Sequence, residues 1–323
     1  MINFNLDTPI AEFQDYLNKR GWLLDNEEIL SVEKPGEGNM NVVVRLITSQ
    51  RSFILKQSRP FVQKYQQIPA PLDRIAVEFQ FYDTVKNDAI ASHIPEIYGY
   101  EAPDYLLLMQ DLGNIDDMTQ IYTSRKIESR VLDKLINVVT EIHRARPAEN
   151  FPLNLELRQL NYQHIFELPF MEENGFQLDD IQPGLQALSK PYKTDKALKK
   201  IVALVGQQYL SPGDTLIHGD YYPGSWMTAE DSVYVIDPEF SFMGFAEFDL
   251  GVMCAHTIMA TMERSVQQYI LSKYSGNIDT TLVKKVAGIE IIRRLIGLAQ
   301  LPLQRTIDEK DYLLQQARKL IME

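Results

Sequence analysis

The feature that most restricts how this chain can fold is a single change of period near Gly113. Before it, apolar residues come in short β-branched runs, Asn41 to Ile47 (NVVVRLI) and Ser52 to Gln57 (SFILKQ). The four polar residues Thr48 to Arg51 join them, a hairpin signature. Glu96 to Tyr100 and Tyr105 to Met109 are two further strand candidates. One prominent helix is expected over Arg74 to Val85, with Ile75, Phe79, Tyr82 and Val85 at three- and four-residue steps. After Gly113 the steps become helical. Arg130 to His143 carries Val131, Leu132, Leu135, Val138, Val139 and Ile142 on one face, for a core-facing helix. Segments 184–210, 245–272, 280–300 and 308–322 read the same way, while 151–183 reads as an irregular insert or short helices. The expectation is an α+β chain of two lobes: a small β-rich N-terminal lobe over 1–113 and a larger, mainly helical C-terminal lobe over 114–323.

One stretch of the second part departs from the helical period. Leu216 to Phe240 reads LIHGDYYPGSWMTAEDSVYVIDPEF, in which Asp220 follows a His-Gly pair, Ser225 comes shortly after, and the run Val233 to Ile236 ends at Asp237-Pro238-Glu239. His-Gly-Asp alone is a common string, and Asp-Pro-Glu alone is an ordinary turn. In this order, with a strand between them, they match the needs of phosphoryl transfer. That chemistry requires one carboxylate facing an acceptor hydroxyl and others facing Mg²⁺ on the phosphates.

Composition narrows the partners. At 323 residues, with 45% hydrophobic and 24% charged residues, the chain has average globular usage and enough length for a sizeable core. A formal net charge of −12 argues against a nucleic-acid partner, whose backbone requires a basic surface. An anionic cosubstrate is still accommodated where local cations and a metal offset the field. The only cysteine, Cys254, cannot form an internal disulfide and lies in the apolar run GVMCAHTIMA, so it is read as core. The opening MINFNLDTPIAEF has no basic n-region, and no apolar run approaches the ~20 residues that span a bilayer. A cytoplasmic protein acting on a small-molecule substrate is expected, without membrane partner and with a homodimer left open.

If such a chain binds ATP, its first lobe must supply a phosphate-covering turn, a lysine and an acid that orients it. Gly36-Glu37-Gly38-Asn39-Met40-Asn41 precedes the first long strand, and Gly36, Gly38 and Asn39 are the candidate phosphate contacts, although a glycine pair there is also a plain turn. Lys56 is read in two ways. It either pairs with Glu78 and the phosphates, or sits on an edge strand with its charge in water. Backbone groups of Gln110 and Leu112 are placed by position alone at an adenine edge. In the second lobe Asp220 is the candidate for the acceptor-hydroxyl proton, with Asp237, Glu239 and Ser225 as candidate metal ligands. His218 is read as holding the loop, and Asp249 as a helix cap or brace in preference to a ligand.

At these residues the chain resembles the aminoglycoside phosphotransferase and choline kinase superfamily, most closely the methylthioribose kinases. The likeness runs through GEGNMN, LKQSRPFV at 55–62, LDRIAVE at 72–78, LMQDLG, LIHGD with GS, VIDPEFSFMGFAEFDLG at 235–251 and IRRLIGLA at 292–299. The resemblance implies a bilobal protein-kinase-like fold, Asp220 as catalytic base, Asp237 and Glu239 on Mg²⁺, and Arg293 and Arg294 on a sugar. Ser225 stands where the wider superfamily has asparagine. Tyr221-Tyr222-Pro223 replaces the Leu-His-Thr usual in methylthioribose kinases, which puts Tyr222 at the acceptor.

Periodicity bears on the arginines. Leu282, Val286, Ile289, Arg293 and Ile296 fall on one helical stripe, so Arg293 interrupts an apolar face and needs an acid or a ligand. Arg294 points elsewhere and has Glu290 four residues back, as in an ordinary helix-surface pair. The function expected is an ATP- and Mg²⁺-dependent small-molecule kinase for a methylthioribose-like sugar hydroxyl. Another pentose, an amino alcohol or an aminoglycoside are the alternative acceptors. A catalytically silent nucleotide-binding module is the reading from a different class; the joint presence of Lys56, Glu78, Asp220, Asp237 and Glu239 counts against it.

Overall fold

The β-branched runs of the first third pair as expected, and the register decides what each residue faces. The computed structural model describes residues 2–36, 40–87, 89–229 and 232–323. In chain order the first part holds α1 (Ile10–Lys19), β1 (Ile29–Glu33), β2 (Val42–Thr48), β3 (Ser52–Gln57), β4 (Phe61–Val62), β5 (Tyr65–Pro69), α2 (Arg74–Val85), β6 (Ile97–Glu101) and β7 (Leu106–Gln110). Among the described residues β1, β2, β3, β7 and β6 form an antiparallel sheet in the order β1-β2-β3-β7-β6. Lys56 lies opposite Val43 on β2 and Leu107 on β7, so it is on the central strand and the edge-strand reading fails.

Alternation along the strands splits the apolar residues between two faces. Val44, Leu46, Phe53, Leu55, Leu106 and Leu108 pack with Phe13, Tyr16 and Leu17 of α1. Helix α1 is a correction to the single helix expected in this region. Its signal is present at 13, 16 and 17, the three- and four-residue steps of one helical face. Leu107 and Met109 face the other way and join α2 in the larger core.

The remainder is largely helical: α3 (Ile121–Ser124), α4 (Ser129–Arg144), α5 (Leu155–Tyr162), α6 (Leu178–Ile181), α7 (Leu185–Thr194), α8 (Lys196–Leu210), then α9 (Ala246–Thr261), α10 (Ser265–Lys273), α11 (Thr280–Ile296) and α12 (Ile307–Met322). Two helices read as continuous are broken. Asp195 accepts the N–H groups of Ala197 and Leu198, both at 3.0 Å, and so restarts the segment 184–210 as α8. Met262 adopts φ +64° and ends α9. The insert after Phe151 contains α5, a π-helical stretch from Gln163 to Glu167 and α6. Cys254 is fully buried in α9, as expected, and burial pushes its thiol pKa up. Among the described residues no helix is long and apolar enough to cross a membrane.

Two small ladders interrupt the helices. β8 (Thr215–Ile217) pairs with β11 (Phe242–Gly244), and β9 (Trp226–Ala229) pairs with β10 (Ser232–Val235). The first sets Ile217 opposite Phe242, which draws the loops beginning at His218 and ending at Ser241 to the same end. The fold is α+β and bilobal, a small β-rich lobe with a larger helical one.

Candidate active site

The loop after β8 is held mainly through its backbone, which leaves the Asp220 carboxylate facing the cavity. Gly219 has φ +82°, and a Cβ there would lie 2.2 Å from the Phe240 carbonyl oxygen, so the two loops touch backbone to backbone. Gly219→Ala is expected to cost roughly 2–4 kcal/mol of stability through the positive φ and this clash. Denaturant unfolding measures it, and a loss below about 0.5 kcal/mol, as at an ordinary surface site, would contradict the contact.

Asp249, fully buried in the first turn of α9, accepts the N–H groups of His218 at 2.7 Å and Gly219 at 2.9 Å. Its Oδ2 is also 3.2 Å from His143 Nε2. It braces the loop, as one sequence reading held. The His218 ring accepts the Asp220 N–H on Nδ1 at 3.3 Å and lies 3.0 Å from the Ile236 carbonyl through Nε2. A neutral ring protonated on Nε2 satisfies both contacts, and burial pushes its pKa down.

Asp220, Tyr222, Ser225, Asp237, Glu239, Arg293 and Arg294 all line one cavity of about 810 Å³, together with Lys56 and Asn41 from the first lobe. The volume lies within the range of small-molecule sites. Burial raises the pKa of the Asp220 carboxylate, while Arg294 and then Arg293 pull it down. Its Oδ1 lies 3.4 Å from an Arg294 nitrogen. Ser225 Oγ donates to the Asp220 carbonyl at 3.0 Å. The Arg294 guanidinium carbon stands 4.8 Å from the Tyr222 ring centroid, a cation–π contact.

Lys56 Nζ is 2.7 Å from Glu78 Oε1 and also contacts the Asp237 carboxylate. Burial lowers the lysine pKa, but Asp237 and then Glu78 outweigh it and hold the group well above its usual value. Glu78 is raised by burial against the pull of Lys56. Asp237 sits at φ +62°, a left-handed conformation that costs a non-glycine residue of order 1 kcal/mol or more. Its side chain is 43% exposed, turned toward the cavity.

Glu239 is more enclosed. It accepts from Asn41 Nδ2 at 2.9 Å and lies 3.4 Å from Arg74 Nε. Burial pushes its pKa up to about 8, against Arg74 and Lys56. Arg74, fully buried, also donates to Asn41 Oδ1 at 2.9 Å, to the Met40 carbonyl at 2.7 Å and to the Arg59 carbonyl at 2.9 Å. This clamp ties the start of β2 to the Asp-Pro-Glu loop, and the sequence reading missed it. A buried arginine in the first turn of α2 has no distinguishing pattern in one dimension.

Several expected contacts are not brought together. Gly38 and Asn39 lie outside the described residues. Gly36 is exposed and outside the cavity lining, and a Cβ there would meet nothing, so no close approach requires glycine. The Gln110 N–H donates to the Glu96 carbonyl at 2.7 Å and is therefore spent as a donor to a base. Neither Gln110 nor Leu112 lines the cavity. Arg294 lines the cavity, as the family resemblance implies, and not the surface that an ordinary helix pair would occupy. It is 7% exposed and pairs with a Glu290 that is 1% exposed, so the pair is internal instead of superficial. Arg293 is buried as expected, with Glu290 as its acid at 2.9 Å.

Among the described residues no group of three or more His, Cys, Asp or Glu side chains is gathered to hold an ion unaided. The oxygen donors of Asp237, Glu239 and Ser225 nevertheless suit Mg²⁺, which takes one or two carboxylates and completes its octahedron from phosphates and water. The exposed Asp237 carboxylate fits that role directly, whereas Glu239 is engaged by Asn41 and Arg74.

Known proteins resemble this chain along most of its length. Residues 31–280 match the phosphotransferase enzyme family. The chain is 26% identical to the methylthioribose kinase of Geobacillus sp. (strain WCH70), covering 90% of this chain and 83% of that protein. It is 28% identical to the methylthioribose kinase of Exiguobacterium sibiricum, covering 86% and 82%. The fold is similar to that of choline kinase LicA from Streptococcus pneumoniae, with a TM-score of 0.52 at 16% identity over 97% of this chain and 99% of that one. With the family match spanning most of its length, the chain belongs to the phosphotransferase enzyme family and is an enzyme that transfers a phosphoryl group to a hydroxyl acceptor.

Proposed function

We propose that the enzyme uses Mg²⁺-ATP to phosphorylate a hydroxyl of a methylthioribose-like sugar. The observation that carries this reading is the sharing of one cavity by Asp220, the Arg293–Arg294 pair and Tyr222, together with Lys56 and Asp237. The likeness to methylthioribose kinases supports the choice of acceptor. Glu290 behind the wall shares the charge of both arginines, and Asp117 and Asp220 lie in the wall with them, so the acceptor is chosen by the guanidinium donors and not by net charge. A neutral, hydroxyl-rich acceptor suits them, with guanidinium N–H groups donating to its oxygens.

In this mechanism Asp220 accepts the hydroxyl proton as the acceptor oxygen bonds to the γ-phosphorus and the bond to the β-phosphate oxygen breaks, releasing ADP. Lys56, oriented by Glu78, carries positive charge to the phosphates. Mg²⁺ neutralises phosphate charge when bound, with Asp237, Glu239 and Ser225 as the residues that would hold it. In this reading 1–113 is the nucleotide lobe and 114–323 the acceptor lobe. The enzyme works in the cytoplasm, with no nucleic-acid partner.

A thermal-shift and ADP-release screen tests the acceptor. With a nonhydrolysable ATP analogue present, methylthioribose at about 100 times its Kd should stabilise the protein by about 2.7 kcal/mol. It should also support turnover with ATP. Shifts and turnover confined to cationic acceptors would overturn the assignment.

A further inference from the structure

Behind the arginine pair lies a buried chain of hydrogen bonds that the proposed mechanism does not use. Glu290, on α11, spends one oxygen on each arginine: Oε2 is 2.9 Å from Arg293, and Oε1 is 2.6 Å from Arg294 Nε. Helix geometry allows it, because residues three and four apart share a face. His256 Nε2, from α9, also reaches Glu290 Oε1 at 3.1 Å. The other ring nitrogen of His256 is 2.5 Å from the Tyr122 hydroxyl of α3. Both His256 and Tyr122 are fully buried.

The proton positions follow from the partners. Ionised Glu290 accepts only, so His256 donates from Nε2 and must accept the Tyr122 hydroxyl proton on Nδ1. The ring is then neutral, in keeping with burial pushing its pKa down to about 4. Each link has one donor and one acceptor from α3 to the cavity wall.

Fold stability gives little reason for this cluster. Buried ionic groups replaced by well-packed apolar ones are often neutral or stabilising. What the cluster does provide is direction. Arg293 and Arg294 each have many rotamers, and a carboxylate shared between them removes that freedom. It also gives Arg294 a second acid, so its guanidinium is held 3.4 Å from Asp220 Oδ1 and does not close fully onto it. Arg293 Nε keeps no partner of its own.

We infer that Glu290 is a positioning residue for the acceptor, with His256 and Tyr122 fixing its orientation, so that the two guanidinium groups are aimed before the acceptor arrives. This rests on the reading of the arginine pair as the acceptor contact. Three proteins test it: wild type, Glu290→Gln and Tyr122→Phe. Glu290→Gln should raise KM for methylthioribose by about tenfold or more and lower kcat, while KM for ATP stays within about twofold. Tyr122→Phe should raise the acceptor KM by about threefold, again without change for ATP. In ¹⁵N-arginine-labelled protein, the Nε–Hε signals of Arg293 and Arg294, assigned with Arg293→Lys and Arg294→Lys, should move toward the free-arginine position in Glu290→Gln.

Equal losses for both substrates would mean general damage to the fold and would overturn the inference, as would arginine signals that do not move. If Glu290→Gln does not fold, Tyr122→Phe carries both measurements. If wild type does not phosphorylate methylthioribose, the acceptor assignment fails, and the arginine signals still decide whether Glu290 holds the pair.

Discussion

Asp220→Ala is expected to lower kcat by about 10³-fold or more while the Kd for ATP stays within about twofold. The carboxylate lines the cavity beside Arg294 and makes no contact with Lys56 or Glu78, so its removal takes away the proposed proton acceptor without disturbing the lysine pair. The loop itself should persist. Its brace runs from Asp249 to the backbone of His218 and Gly219, and Ser225 bonds to the Asp220 carbonyl, not its side chain. Single-turnover kinetics with ATP saturating, alongside calorimetric ATP binding, separates the two quantities. Turnover within about tenfold of wild type would remove Asp220 as the base.

Asp237→Asn should be nearly as severe for a different reason. Asparagine tolerates the left-handed backbone that Asp237 adopts at φ +62°, so the substitution removes charge with little added strain. Turnover is expected to fall by about 10²- to 10³-fold, and the Mg²⁺ concentration for half-maximal rate to rise by about tenfold or more. The variant also takes from Lys56 the larger of the two attractions that keep it protonated, leaving Glu78 as its remaining close acid. A Mg²⁺ titration of the rate reads the effect. An unchanged midpoint would show that the ion is held elsewhere.

The residues on which these experiments act were legible because they lie in short strings whose order along the chain is itself informative. Lys56 on a β-branched run and Glu78 on the next helix are far apart in sequence, yet a strand-helix unit allows few relative placements, and they meet at 2.7 Å. Asp220 and Asp237 flank a hairpin, so pairing of β8 with β11 closes the distance between their loops. The helix period correctly made Arg293 an inward arginine, which a polar residue on an apolar stripe had to be.

The same reasoning failed where burial depends on what a third element covers. Arg294 is off the stripe of Leu282 and Ile289, where the helical period alone expects a surface pair with Glu290. Helix α11 is enclosed on most sides, so the off-stripe direction is interior too, and Glu290 is buried with it. Gln110 and Gly36 are placed only by their order along the chain, which carries no sign of the Glu96 carbonyl that takes the Gln110 N–H. Arg74 and Asn41 carried no periodic signal at all, because their partners are backbone carbonyls and a carboxylate supplied by distant segments.

By itself, then, the amino-acid order determined the class of fold, the lysine-acid pair and the two acidic loops, since these follow from local period and from the few ways adjacent elements can connect. Which side chains face the cavity was decided only by the tertiary structure. Whether Arg294 aims at solvent or at Asp220, and whether Glu239 meets Asn41 and Arg74, depends on packing between elements many residues apart, about which a linear pattern carries no information.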